Sequence, residues 1–359
     1  MKDSQYRLSQ TSKFVLAGAT FASAIYGLRQ AVRRRRRVDF ADKTVVITGA
    51  SRGLGLELAR DFAREGANLV LLARDENNLL RSASELQAFG ANVTPLVCDV
   101  GDQREVQQAV AFILRQNPRI DILVNNAGII QVGPLESMAI EDYEQTMRVH
   151  FWGPLYLMRE IIPHMQSAGG GRIINIASIA GKVAVPHLLP YVASKFALVG
   201  LSAGMRAELL KDNIYVTTVS PGLMRTGSHL NAFFKGQHKK EFALFAIANS
   251  SPLLSTAAPL AARKILEACR HGDAEITLTA QAQALRLAQG LFPSLVADTF
   301  ALASRLLPGP ARDATNISKA GWKSRSLLAP AILTRSADRA ALHNNELPDQ
   351  LSNSKTGER

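Results

Sequence analysis

Residues 43–55 read KTVVITGASRGLG. Lys43–Thr48 is a short apolar run of strand character. It opens into the turn Thr48-Gly49-Ala50-Ser51-Arg52-Gly53-Leu54-Gly55, and a helical pattern follows from Leu54 to Arg64. Glycines in such a turn permit a tight bend and a close approach by a ligand. The start of the following helix offers unpaired N–H groups and the positive end of a dipole, which suits a pyrophosphate. A glycine-rich turn alone is weak evidence, since many loops contain glycine. The strand before it and the helix after it are what give it weight.

The same theme repeats along the chain. Asn68–Ala73 (NLVLLA), Val93–Cys98 (VTPLVC), Asp121–Asn125 (DILVN), Arg172–Ala177 (RIINIA), Ile214–Ser220 (IYVTTVS) and Ala274–Thr279 (AEITLT) are short apolar runs, with helix-like segments between them. Strands apolar on both faces that alternate with helices predict a parallel sheet covered on both sides. The expected architecture is a doubly wound α/β domain over residues 41–280, with ligands at the carboxyl ends of its strands. Beyond it lies a C-terminal extension, residues 281–359. Gln281–Leu307 is apolar and reads as helical, packing on the core or on a partner subunit of a homo-oligomer. Pro308–Arg359 is rich in Ser, Arg, Asn and Ala without clear periodicity, and reads as partly disordered.

Hydrophobic residues make up 47% of the 359-residue chain, enough for a sizeable core. Two cysteines, Cys98 and Cys269, form no disulfide framework, and the seven scattered histidines show no metal-ligand spacing, so no metal site is expected. The net charge of +12 is unevenly spread. Residues 1–40 carry Lys2, Arg7, Lys13, Arg29 and Arg33 to Arg37 against only Asp3 and Asp39, more than half of the excess. This placement argues against nucleic acid as the partner. An arginine block behind the uncharged run Phe14–Leu28 (FVLAGATFASAIYGL) points instead to a membrane. As helix that run would reach roughly 22 Å, at about 1.5 Å per residue, against a hydrocarbon core of about 30 Å. A short anchor in segment 1–40, with the arginines and the following domain cytoplasmic, is the favoured reading. A helix lying on the surface is an alternative. A cleaved signal peptide is disfavoured, because its charge would precede the apolar run.

Three residues further on carry recognisable chemistry. Tyr191 and Lys195 stand four apart on a predicted helix and share one face. A phenol, with a pKa near 10, is a poor base at neutral pH, and a nearby ammonium would favour the phenolate. Ser178, at a strand end, can donate a hydrogen bond to a substrate oxygen as charge builds there. Singly, Tyr191 has a bland reading as a half-buried tyrosine, and Ser178 as a polar strand end.

Together the motifs resemble a family. The turn matches TGxxxGxG, Asn125-Asn126-Ala127-Gly128 matches NNAG, and Ser178 precedes the YxxxK of Tyr191 and Lys195 by thirteen positions. Pro221-Gly222 and Thr226 match the loop after a sixth strand. In this order and spacing, over roughly Asp42 to Thr279, the chain resembles the short-chain dehydrogenases/reductases of the single-domain branch. The resemblance implies a Rossmann-type fold and an NAD(P)-dependent oxidoreductase that interconverts a carbonyl and an alcohol, with Ser178, Tyr191 and Lys195 catalytic. It places the cofactor on Thr48, Gly49, Ser51, Arg52, Gly53, Leu54, Gly55, Asp99, Asn126, Ala127, Gly128, Tyr191, Lys195, Pro221, Gly222 and Thr226, with Lys195 on the nicotinamide ribose.

The chain departs from the family in one place. Thirteen positions before Pro163, where the family has a relay asparagine, stands His150. Histidine donates and accepts, so it either supports the relay or fills space. Cofactor choice turns on Arg52, on Arg74, and on Ala73, where NAD-preferring members carry Asp. Arginines near the adenine ribose suit a 2′-phosphate, so NADP(H) is favoured over NAD(H). Met224–Leu254 falls where the family builds its lid. Its Phe233, Phe234, Phe242 and Phe245 suggest an apolar or lipid-like small-molecule substrate, or else ordinary lid packing. A membrane-tethered sensor or scaffold without turnover is the reading from another class.

Overall fold

The computed structural model describes residues 10–311 and 317–347. Seven strands form one sheet: β1 Thr44–Thr48, β2 Asn68–Ala73, β3 Val93–Val97, β4 Ile122–Asn125, β5 Gly171–Ile176, β6 Ile214–Ser220 and β7 Glu275–Thr277. Their order across the sheet is β7-β6-β5-β4-β1-β2-β3, and every neighbouring pair is parallel. The strand order reverses between β1 and β4, and a crevice opens at their carboxyl ends.

Twelve α-helices lie among the described residues: α1 Gln10–Arg35, α2 Gly53–Arg64, α3 Glu76–Ala88, α4 Gln103–Gln116, α5 Ile140–Met147, α6 Gly153–Ser167, α7 Leu189–Leu209, α8 His238–Ser250, α9 Ala258–His271, α10 Ala280–Leu291, α11 Pro293–Ser304 and α12 Ala331–His343. Alternation along the strands divides the core between the two faces. Val45 and Ile47 join Leu56, Phe62 and Ile265 on one side. Val46 joins Leu123, Met158, Ile161 and Ile173 on the other. Full burial of each such side chain contributes on the order of 1.5–3 kcal/mol, which is why the central strands β1 and β4 read as continuous apolar runs.

The N-terminal helix differs from the anchor expected. Phe14–Leu28 is helical within α1, but no helix among the described residues is long and apolar enough to cross a membrane. The run is short, and Gly18, Thr20, Ser23 and Gly27 dilute its hydropathy. Two of the five arginines behind it are used by the fold. The Arg33 guanidinium binds the Asp273 carboxylate at 2.8 and 3.0 Å, and the Arg36 carbonyl accepts from Arg172 at 2.7 Å. Arg36, Arg172 and Arg206 surround the Tyr215 ring at 5.2, 4.1 and 5.3 Å. These contacts dock the end of α1 on the edge of the sheet opposite the crevice.

The C-terminal extension also differs. Gln281–Leu307 contains α10 and α11, but part of the segment expected to be irregular is built into the domain. Lys319–Ala320 pairs antiparallel with Phe233–Phe234, which pairs in turn with Gln131–Val132. α12 packs on α8, and Ala341 joins Leu230, Phe234 and Phe242 in a third apolar cluster. The remainder of that expectation, residues 312–316 and 348–359, lies outside the described residues.

Candidate active site

The glycine turn is held rigid from below. The Thr48 hydroxyl donates to the Val124 carbonyl at 3.3 Å and accepts from the N–H groups of Asn126 and Ala127, both at 2.9 Å. The Asn126 side-chain amide donates to the carbonyls of Thr48 and Gly49 at 3.0 and 3.2 Å. Gly49 adopts φ +63°, and a Cβ there would meet Ala127 Cα at 2.8 Å, so only glycine fits. Gly55 packs the start of α2 onto the Gly49 carbonyl. Thr48 and Gly55, expected among the cofactor contacts, build the turn and do not line the crevice.

The other expected residues do line it. A cavity of about 1050 Å³ is bordered by Gly49, Ser51, Arg52, Gly53 and Leu54 of the turn, by Arg74 and Asp99, and by Asn126, Ala127 and Gly128. His150, Ser178, Tyr191, Lys195, Pro221, Gly222 and Thr226 border it too. The donor set suits a dinucleotide. Two guanidiniums stand at one end, a helix N-terminus and glycines too close for a side chain in the middle, and hydroxyl, phenol and amine groups at the other.

Sequence reasoning missed part of the wall. Leu285 of α10 and Phe300 of α11 face the cavity, as does Glu346 from beyond α12. Of the four lid phenylalanines only Phe245 does so, while Phe234 and Phe242 are buried within the lid. A buried polar ladder, also unforeseen, fixes the sheet beneath. Asn125 donates to Asn175 at 2.8 Å, Asn175 to Ser202 at 3.0 Å, and Ser202 meets Thr218 at 2.7 Å.

Around the candidate catalytic residues the electrostatics are set by enclosure. Lys195 is buried, and its Nζ donates to the Ile176 carbonyl at 2.8 Å. With desolvation as the cause, its pKa falls to about 7. The Tyr191 phenol is pushed up by desolvation and pulled down by its hydrogen bond with Ser178. Desolvation wins, so the expected lowering by Lys195 is not met. The amine lies 5.6 Å from the ring centroid, and its own charge is disfavoured near neutral pH. Ser178 Oγ accepts from the Ala180 N–H at 3.1 Å, which leaves its proton for the Tyr191 oxygen or for a substrate oxygen that takes its place.

His150 occupies a π-helical turn, Arg148–Trp152, that joins α5 to α6. Such widened turns recur at functional sites. Its Nε2 accepts from the Ile129 N–H at 3.1 Å. Its Nδ1 lies 2.8 Å from the Ser194 hydroxyl, which itself donates to the Tyr191 carbonyl at 2.8 Å, so Nδ1 carries the proton. Desolvation, and then the charge of Lys195, hold the ring neutral, with its pKa well below 6.5. The ring therefore ties the loop after β4 to the second turn of α7. Removing it with His150→Ala leaves the buried Ile129 N–H without an acceptor, at a cost of about 1–3 kcal/mol. A lower Tm and slower turnover are expected for alanine, with His150→Asn retaining or raising the wild-type rate. Thermal melts and kcat over a pH series check this. Equal rates and profiles for all three proteins would reduce His150 to filling space.

A doubly wound sheet with this turn and this Ser–Tyr–Lys spacing defines a nicotinamide-dependent oxidoreductase of the short-chain type. The chain belongs to the short-chain dehydrogenase/reductase family: the family model described as short chain dehydrogenase matches residues 43–233. Among its relatives, dehydrogenase/reductase SDR family member 7B of Danio rerio is 36% identical over 206 residues, 56% of this chain and 67% of that one. Dehydrogenase/reductase SDR family member 4 of Homo sapiens is 33% identical over 192 residues, 53% of this chain and 69% of its own. Among solved structures, L-sorbose reductase from Gluconobacter frateurii, complexed with NADPH and L-sorbose, matches with a TM-score of 0.60 at 28% identity, covering 67% of this chain and 97% of that one. A gluconate 5-dehydrogenase from Burkholderia cenocepacia, in complex with NADP and tartrate, gives 0.60 and 28%, covering 71% and 99%.

Proposed function

We propose that this protein is an NADP(H)-dependent enzyme that interconverts a carbonyl and an alcohol on an apolar, lipid-like substrate, with Tyr191 as acid/base. The observation that carries this reading is the convergence of Ser178, Tyr191 and Lys195 on the same cavity that the glycine turn, Arg52 and Arg74 line. The nicotinamide, when bound, supplies or takes the hydride. Ser178 holds the carbonyl oxygen by a hydrogen bond that strengthens as charge develops. The Tyr191 Oη gives its proton to that oxygen in reduction and removes it in oxidation. Lys195, anchored on the end of β5 and 5.6 Å from the Tyr191 ring centroid, would hold the nicotinamide ribose. Val185, Leu188, Phe245, Leu254, Leu285 and Phe300 make the substrate end of the cavity apolar, which supports a greasy substrate. NADPH consumption against ketones and aldehydes of increasing chain length should show turnover rising with apolar size. Tight NADPH binding without turnover on any member of the panel would favour a sensor instead.

We also propose that the N-terminal segment rests on an anionic membrane surface with the catalytic domain on the cytoplasmic side. Arg34, Arg35 and Arg37 are exposed beside α1 and free to meet headgroups. Full-length protein should sediment with membranes, be released by high salt, and become soluble when the chain starts at Asp39. Full-length protein that stays wholly soluble at low salt would end this idea.

A further inference from the structure

The chain after α12 returns to the glycine turn. The Gly53 N–H, the first amide of α2, donates to the Asn344 carbonyl at 2.8 Å. Asn345 Nδ2 donates to the Ser51 carbonyl at 3.4 Å and to the Ser82 hydroxyl at 3.3 Å. Arg60 binds Asn344 Oδ1 at 3.1 Å and the His343 carbonyl at 2.8 Å, and Asn344 Nδ2 donates to the Thr226 carbonyl at 3.3 Å. These bonds strap residues 343–346 across the gap between the turn and the loop after β6. Glu346 ends the strap inside the cavity, at 5% exposure. Its Oε2 accepts from Asn231 Nδ2 at 2.6 Å and lies 3.8 Å from Arg52 Nε. Its Oε1 is so near Gly53 that a Cβ there would come within 2.5 Å.

A buried carboxylate at the N-terminus of α2 satisfies the same dipole and the same arginine that draw a phosphate. We propose that Glu346 is a determinant of cofactor affinity, occupying the place at the glycine turn that a dinucleotide pyrophosphate takes, so that cofactor and strap compete for it. Two anions against one short turn repel strongly where water is excluded. Desolvation already pushes the Glu346 carboxyl up, against the pull of Arg52, Asn231 and His229. The strap can lift without unfolding the lid. Its bonds to the turn are polar and replaceable by water, whereas Ala337 and Ala341 before it and Leu347 after it are held by apolar contact, so residues 344–346 move between two fixed points.

The inference rests on dinucleotide binding at the turn and not on the choice between NADPH and NADH. Glu346→Gln removes the charge and keeps an acceptor for Asn231, and Glu346→Ala removes both. Dissociation constants for NADPH and NADH, with hydrogen exchange of the wild-type strap, form the test. Both cofactors should tighten by up to about tenfold in each variant, as expected if the strap fills the site some nine-tenths of the time. Exchange at residues 344–346 should rise when NADPH is added. Unchanged or weaker binding of both cofactors, tightening confined to NADPH, or protection of the strap by NADPH would each overturn competition at the pyrophosphate. Failure of all three proteins to bind either cofactor would overturn the cofactor site itself, and this proposal with it.

Discussion

Tyr191→Phe is expected to lower kcat by roughly 100- to 10,000-fold, the usual contribution of a positioned acid/base. The dissociation constants of both cofactors should stay near the wild-type values. The substitution deletes one oxygen and keeps the ring, whose edge-on contact with His150 has centroids 5.4 Å apart. Ser194, which donates to the Tyr191 carbonyl at 2.8 Å, is untouched because that bond is to the backbone. The lost group is therefore the phenol proton and its hydrogen bond with Ser178. Pre-steady-state hydride transfer and equilibrium binding separate the two effects. Near wild-type turnover would remove Tyr191 from the mechanism. A matching loss of cofactor affinity would mean that the side chain holds the dinucleotide.

The strands were legible because a parallel sheet buried on both faces leaves a chemical mark that needs no partner to be read. Val45, Val46 and Ile47 are apolar in succession, and each is fully enclosed. Ser178, Tyr191 and Lys195 were legible for a similar reason: strand end and helix spacing deliver them to one cavity locally. What was not legible depends on contacts distant in sequence. α12 hides its packing face because the stripe Thr334, Ala337 and Ala341 is made of small residues, which carry little hydrophobic signal. Glu346 looks like one more surface acid near a chain end, and only the return of α12 over α8 carries it to Gly53. Arg33 looks like part of a membrane-facing block, because nothing in its neighbourhood reveals Asp273 as its partner. His150 could be counted into the relay position. The π-helical turn that aims both its nitrogens at Ile129 and Ser194 could not be read from its neighbours.

NADPH is expected to bind more tightly than NADH, and the preference should reside in Arg52 and Arg74. Both line the cavity at the end of β2, where Ala73 offers no carboxylate to repel a 2′-phosphate. A charge-assisted hydrogen bond contributes on the order of 1.5–3 kcal/mol, so two together could give a preference of about 100-fold or more. Two features of the structure pull that figure down. The Arg74 side chain is 53% exposed and shares its charge with Asp99 at 3.9 Å, so solvent screens it. Arg52 is drawn toward Asn231 and Glu346, at 3.4 and 3.8 Å. Asp75 also borders this end of the cavity. Its carboxylate is spent on capping α3, accepting from the Asn78 N–H at 3.0 Å. Arg52→Ala and Arg74→Ala should each weaken NADPH and barely touch NADH, which has no phosphate for them to hold. The Arg52 change should be larger, since its side chain is less exposed. Adding Ala73→Asp should carry the preference toward NADH, by repelling the phosphate and accepting from the ribose hydroxyl. Dissociation constants measured at low and moderate salt decide it, because the contribution of an exposed arginine shrinks with ionic strength. A wild type that prefers NADH, or arginine variants that weaken both cofactors alike, would show that these guanidiniums do not read the 2′-phosphate.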